Sequence, residues 1–93
     1  MQISYDPAKN ARNIALRDLN FERAADFDFE TALIFLDMRK PYPELRYVAI
    51  GYLDDRLHVL CFSEIERGIR VISFRKANQR EGKKHGYALT RHR

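Results

Sequence analysis

Three observations predict an α+β fold for this 93-residue chain. Helix-start patterns crowd its first 27 residues. Three β-prone runs follow one another in its second half. The links between those runs are too short for a crossover helix, which favours antiparallel hairpins. The expected architecture is a small antiparallel sheet with two N-terminal helices and a C-terminal helix. A chain of this size supports one core, so residues 1–93 read as one domain, with 86–93 as a basic tail.

The elements follow in order. "QISY" is a short β-prone run that stops at Asp6-Pro7. Asp6 can cap a helix and Pro7 suits its first position. The helix runs through "AKNARNIALR", with Ala8, Ala11, Ile14 and Ala15 spaced for a buried face, and with Lys9, Arg12 and Arg17 turned to solvent or a ligand. Asn20 looks like a second cap, before a short helix in "FERAADF" whose stripe is Phe21, Ala24 and Ala25. "TALIFL" (31–36) is short, apolar and strand-like, and the two prolines of "RKPYP" force a loop.

The rest reads as a meander. "LRYVAIGY" (45–52), "RLHVLCFSE" (56–64) and "IRVISFRK" (69–76) are strands, joined by "LDD" and "IERG" turns. Alternation puts Ser73 and Arg75 on one face of the last strand, Ile72 and Phe74 on the other, and groups Arg46 with Val48 and Ile50. In the final segment, Arg80, Lys83, Lys84 and Tyr87 share a face if it is helical. Gly82 and Gly86 would each cost such a helix about 1 kcal/mol.

A 45% hydrophobic fraction is enough for a core, and 32% charged residues fit a folded surface. Cys61, the only cysteine, lies in the apolar run "LHVLCF" and reads as a buried structural thiol. "MQISYDPAKN" lacks a charged region followed by an apolar one, and no run nears the ~20 residues of a bilayer span. The expected location is cytoplasmic, away from membranes. Charge is polarised: residues 1–66 carry 8 Lys/Arg against 12 Asp/Glu, residues 67–93 carry 9 against 1. Such a basic end attracts polyanions.

Other chemistries fall away. His58, His85 and His92 show no metal-ligand spacing, so neither metal nor cofactor is expected. No phosphate-cradling glycine loop occurs, and Ser63, His58 and Asp54 lack a nucleophile elbow. Arginine remains. Arg46, Arg75 and Arg80, at strand ends and on the adjoining helix, can form a cationic floor, with Lys9, Lys76, Lys83, Lys84 and His58 as further RNA-binding groups. Such a floor suits RNA cleavage by the substrate's own 2′-hydroxyl, because guanidinium forks stabilise charge on phosphoryl oxygens. Glu44, Glu64, Glu81 and His58 are available for proton transfer or for orienting the arginines, and these residue types leave the choice open. Tyr42, Tyr47 and Tyr52 can stack on bases. The rival reading is a non-enzymatic module that binds nucleic acid or an acidic protein through the same basic end.

Several blocks in succession resemble one family. They are "YDPAKNARNI", "NFERAADFD", "DMRKPYPELRYVAIGYLDDRLHVLCFSE" and "IRVISFRKANQRE". Their order and spacing over residues 3–86 are similar to those of the BrnT toxins of bacterial type II toxin–antitoxin pairs. The resemblance implies a RelE-like ribonuclease that blocks translation. It also implies a BrnA-type antitoxin, whose complex with the toxin contacts operator DNA through the antitoxin. By position it carries functional roles onto Glu44, Arg46, Arg75, Arg80 and Glu81. Ser63 stands where a threonine is usual. Arg17-Asp18 replaces a frequent Lys-His, and the "EIERG" turn departs from a glycine-rich one.

Overall fold

A computed structural model describes residues 1–92; Arg93 lies outside them. β1 (Gln2–Ser4) leads into α1 (Pro7–Arg17) and a 3-10 helix (Phe21–Asp26). Then come β2 (Leu33–Leu36), β3 (Tyr47–Leu53), β4 (Arg56–Ile65), β5 (Gly68–Lys76) and α2 (Gln79–His85). The fold is α+β as expected, with one sheet in the order β1-β5-β4-β3-β2.

The sheet is mixed, however, not antiparallel. β1 runs parallel to β5, while the other three pairings are antiparallel. A parallel neighbour needs a long connection, and everything from α1 to β4 supplies it. β1 approaches so closely because residue 68 is glycine: a Cβ there would overlap the Gln2 carbonyl oxygen. Gly68→Ala is expected to push β1 off the edge and destabilise the domain by about 1–3 kcal/mol. Faster amide exchange in β1, with β3 and β4 still protected, would report it.

The β3–β4 hairpin turns at Asp54 and Asp55, both at positive φ (49° and 59°). Such two-residue turns match the twist of the strands they join. In β5 the register passes from Cys61↔Ser73 to Phe62↔Val71, leaving Ile72 without a partner. This bulge breaks the expected alternation, and Ile69, Val71 and Phe74 all join the core on the helical side. Ser73 and Arg75 lie opposite Cys61 and Val59.

Leu19, Phe21, Ala24 and Phe27 pack on Leu60, Phe62, Val71 and Phe74. The helix at Phe21 is 3-10, with three residues per turn. Its buried stripe is therefore Phe21 and Ala24, continued by Phe27, while Ala25 is exposed. α1 also departs from expectation. Asp6 caps it through Ala8 N–H at 2.9 Å, but Ala8, Ala11, Ile14 and Ala15 face solvent. Its inner side is polar. Asn10 Oδ1 accepts from Phe21 N–H (2.8 Å), and Asn13 Nδ2 donates to the Leu19 and Phe74 carbonyls (2.9 and 3.0 Å). Closing otherwise unpaired backbone groups outweighs burying small alanines here.

The other side of the sheet carries a smaller core of Ile50, Tyr52, Leu57, Val59 and Ala77. α2 and the following segment cover it. Gly86, at φ 77°, ends α2, and Tyr87 N–H returns to the Gly82 carbonyl (2.8 Å). Tyr87 therefore leaves the lysine face expected for it and packs on Tyr52. The residues expected as a basic tail are docked as far as Arg91. Leu57 N–H bonds the Leu89 carbonyl, and Arg91 bonds Asp28 and Asp55 while covering the Tyr52 ring.

Candidate active site

Between β2 and α2, the face of the sheet away from α1 is left open as a groove of about 540 Å³. Its floor is Val48, Ile50, Val59 and Cys61, with Phe35 on one side, α2 on the other and Asp37 to Arg39 at one end. Cys61 is partly exposed here, not the buried thiol expected, because this face has no helix over its middle.

Arg75 projects from β5 into the groove and α2 holds it there. Asn78 caps α2 by accepting from Glu81 N–H (2.8 Å), and the Glu81 carboxylate accepts from Asn78 N–H (2.9 Å). This reciprocal box aims Glu81 at β5. Arg75 Nη1 and Nη2 then reach Glu81 Oε1 and Oε2 at 2.8 and 2.7 Å. The hydrogen bond from Arg75 is the main cause that holds the Glu81 carboxyl at about 2, below its ordinary 4.5. The same pairing raises Arg75 above the usual guanidinium range. Glu81 is thus a carboxylate at neutral pH and a weak base. The Nε–H edge of Arg75 has no acceptor among the described residues.

Because Glu81 is depressed in the folded state, the pair stabilises the fold fully above about pH 4.5, and that contribution is lost as pH falls through about 2. Asp28, held at about 2 chiefly by Arg91, behaves likewise. Thermal melts between pH 5 and 2 are expected to fall, and Glu81→Gln to show a shallower fall than the wild type.

A second cation guards the groove's end. Arg39 Nε and Nη2 grip Asp37 at 2.8 and 2.6 Å. The Asp37 carboxyl is buried, Tyr42 also donates to it (3.3 Å), and the Arg39 fork keeps it far below the usual carboxylate range. Arg39 itself is largely exposed, at 71% of its side chain. On α2, Lys84 and His85 complete the rim, and His85 stacks on Phe35 at 5.9 Å.

The residues singled out from the sequence do not form one floor. Arg75, Glu81 and Lys84 share the groove. Arg46 lies on the same face, two residues before Val48, and its carbonyl accepts from Asp37 N–H at the groove's end (2.8 Å), but its side chain does not line the groove. There it pairs with Glu44 (3.0 Å) and lies over the Tyr42 ring (4.1 Å). Arg80 and Lys83 lie on a shallow outer surface of α2 with Gln79. Lys76 and His58 occupy a different cleft, with Arg17, Arg23 and Arg56. His58 is buried against Phe74, its Nδ1 2.7 Å from the Arg56 carbonyl. Burial lowers its pKa, and its place beside Phe74 puts it on the face of β4 opposite the groove. Lys9 is on α1, beside Arg12, Arg17 and Ser73. Among the tyrosines, Tyr47 stacks on Phe62 and Tyr52 is covered by Tyr87 and Arg91.

Asp37, Arg39 and His85 were missed as site residues. His85 stands four residues after Glu81, so helical spacing puts both on one face. Arg39 belongs to the Asp-x-Arg block that carried the family resemblance.

A small α+β domain with forked arginines around an apolar-floored groove has the makings of a phosphate-handling protein. The comparison with known families gives the class: the model of the ribonuclease toxins of type II toxin–antitoxin systems, BrnT, matches residues 5–81. The chain belongs to the BrnT family. The matched region contains Arg75 and Glu81. No curated protein matches the chain. Among the described residues, no helix is long and apolar enough to cross a membrane.

Proposed function

We propose that this chain is a cytoplasmic, metal-independent endoribonuclease that blocks translation and is neutralised by a BrnA-type antitoxin, with the groove at Arg75 as its active site. The observation that carries the reading is the Arg75–Glu81 fork over an open apolar floor. Two of Arg75's five donors are spent on Glu81, which fixes the plane of the guanidinium. The Nε–H edge remains to meet two phosphoryl oxygens. When the 2′-hydroxyl attacks the adjacent phosphorus, negative charge builds on those oxygens, and a pre-oriented guanidinium stabilises it more than it stabilises the substrate. Arg39 and Lys84 hold the flanking phosphates. Glu81 positions Arg75 and does not itself take the proton. The proton-moving group in this reading is His85, which stands on the groove's rim, one helical turn after Glu81.

Arg46, Glu44 and Tyr42 then serve the end of the groove through Asp37, to which both Tyr42 and Arg39 are bonded. Arg80, Lys83 and Lys76 attract RNA by field rather than by contact at the scissile bond. The experiment is incubation of the purified chain with free RNA, and with translating ribosomes, in the presence of a chelator. The expected products end in 2′,3′-cyclic phosphate and 5′-hydroxyl. Absence of cleavage in both settings, with folded protein, would leave a binding module instead.

A further inference from the structure

The cleft that holds His58 and Lys76 lies across the sheet from the groove. The C-terminal end of α1, the β3–β4 turn and the end of β5 enclose about 590 Å³ there, a size that suits a small ligand.

Its floor holds a buried acceptor. His58 is only 4% exposed, and its Nδ1 lies 2.7 Å from the Arg56 carbonyl oxygen. A carbonyl only accepts, so Nδ1 carries the ring proton and Nε2 presents a lone pair. Nε2 has no partner among the described residues. No wholly buried polar side-chain atom among them lacks one, so Nε2 reaches the cleft, which His58 lines. An acceptor placed in this way calls for an incoming O–H or N–H.

The walls supply the opposite kind of group. Lys76 stands opposite His58 in the β4–β5 ladder, and its ammonium has no partner among the described residues. Arg17 spends only Nε, on Asn13 Oδ1 (3.1 Å). Arg56 is fixed on the Leu57 and Ala77 carbonyls (2.6 and 3.1 Å) and keeps donors beyond those two bonds. Arg23 is taken up by both oxygens of Asp54 at 2.9 Å. Asp18 is the remaining acid of the cleft, and Leu16 and Leu53 add apolar wall.

We infer that this cleft binds a ribonucleotide with a free ribose diol. The phosphate meets Lys76, Arg17 and Arg56, the two hydroxyls donate to His58 Nε2 and Asp18, and the base lies against the leucines. A phosphate dianion alone has no proton to give Nε2, and a neutral sugar leaves the cations unpaired. A free mononucleotide and the 3′-terminal nucleotide of an RNA present the same groups. The inference does not rest on cleavage in the groove, because binding is read at His58 itself.

The experiment follows His58 Nε2 by nitrogen NMR while the chain is titrated with uridine 5′-monophosphate, its 2′,3′-dideoxy counterpart and inorganic phosphate. Accepting a hydroxyl proton moves that nitrogen upfield, and a saturable upfield shift is expected with the ribonucleotide. The dideoxynucleotide should bind about tenfold more weakly and leave Nε2 unmoved. Lys76→Gln, at an exposed position, should keep the fold and weaken both nucleotides. A uridine tetranucleotide with a free 3′ end, added to the Arg75→Ala chain, separates the two sources. The same shift would assign the cleft to RNA 3′ ends, and no shift would assign it to free nucleotides. An unmoved Nε2 with the ribonucleotide, equal affinity for the two nucleotides, equal saturation by inorganic phosphate, or binding indifferent to Lys76→Gln would each overturn the proposal.

Discussion

Arg75→Ala is expected to reduce RNA cleavage by about 10²–10³-fold, equivalent to ~2.7–4 kcal/mol of lost transition-state stabilisation. The size follows from geometry. Arg75 is clamped by two bonds to Glu81 and has no rotamer search to complete when charge develops on the phosphate. RNA affinity should change far less, because Arg39, Lys84 and the outer lysines still meet the backbone. That residual binding should weaken steeply with salt. Single-turnover rates at saturating protein separate the two quantities. Equal losses in binding and rate would demote Arg75 to an ordinary phosphate contact. The substitution also leaves Glu81 without its cation, so its carboxyl should return towards the ordinary carboxylate range, visible by NMR titration.

Phe74→Ala should have the largest effect on stability, about 3–5 kcal/mol. Phe74 is wholly buried, meets Phe27 edge to face at 6.1 Å, and its carbonyl is held by Asn13 from α1. One position thus joins β5, the 3-10 region and α1. A domain of this size has only about 5–15 kcal/mol in total, so the variant should lie close to its unfolding midpoint at physiological temperature. Chemical denaturation, with the midpoint lowered and the slope unchanged, would check it. Residual activity of the folded fraction should be near normal, since Phe74 and Arg75 point to opposite faces of β5. A loss below about 1 kcal/mol would mean that the helical side is held by the asparagine bonds rather than by packing.

Much of the fold was legible because local chemistry and tertiary packing agree. Asp6-Pro7 starts α1 as read, and Asn20 caps the next helix. The "LDD" turn joins two strands in register from Leu53↔Arg56 to Tyr47↔Phe62. What could not be read depended on partners distant in sequence. The pairing of β1 with β5 needs Gly68 opposite Gln2, which no local pattern announces. The polar inner face of α1 inverts amphipathic reading: Asn10 and Asn13 are turned inwards because the Leu19, Phe21 and Phe74 backbone waits there. The 3-10 helix alters the period from 3.6 to 3, which moved Ala25 out of the stripe.

The site was legible in part for a similar reason. Arg75 and Glu81 were singled out by charge and by family resemblance, and they meet because Asn78 caps α2 with Glu81 at its third position. Arg80 was singled out on the same two grounds, yet one helical residue of rotation from Glu81 sends it outwards. His58 looked available because strand position alone does not reveal burial against Phe74. Arg39 depended on a loop whose conformation is set by Asp37 and Tyr42.

The groove, rather than the basic surface at large, is the central claim, and Arg75 against Arg80 tests it most directly. Wild type, Arg75→Ala and Arg80→Ala should be induced in parallel, with growth and bulk protein synthesis followed and soluble protein levels matched. Prompt arrest by the wild type and by Arg80→Ala, but not by Arg75→Ala, is the predicted result. Arrest that persists in Arg75→Ala and is relieved in Arg80→Ala would contradict it and move the active centre to the outer face of α2.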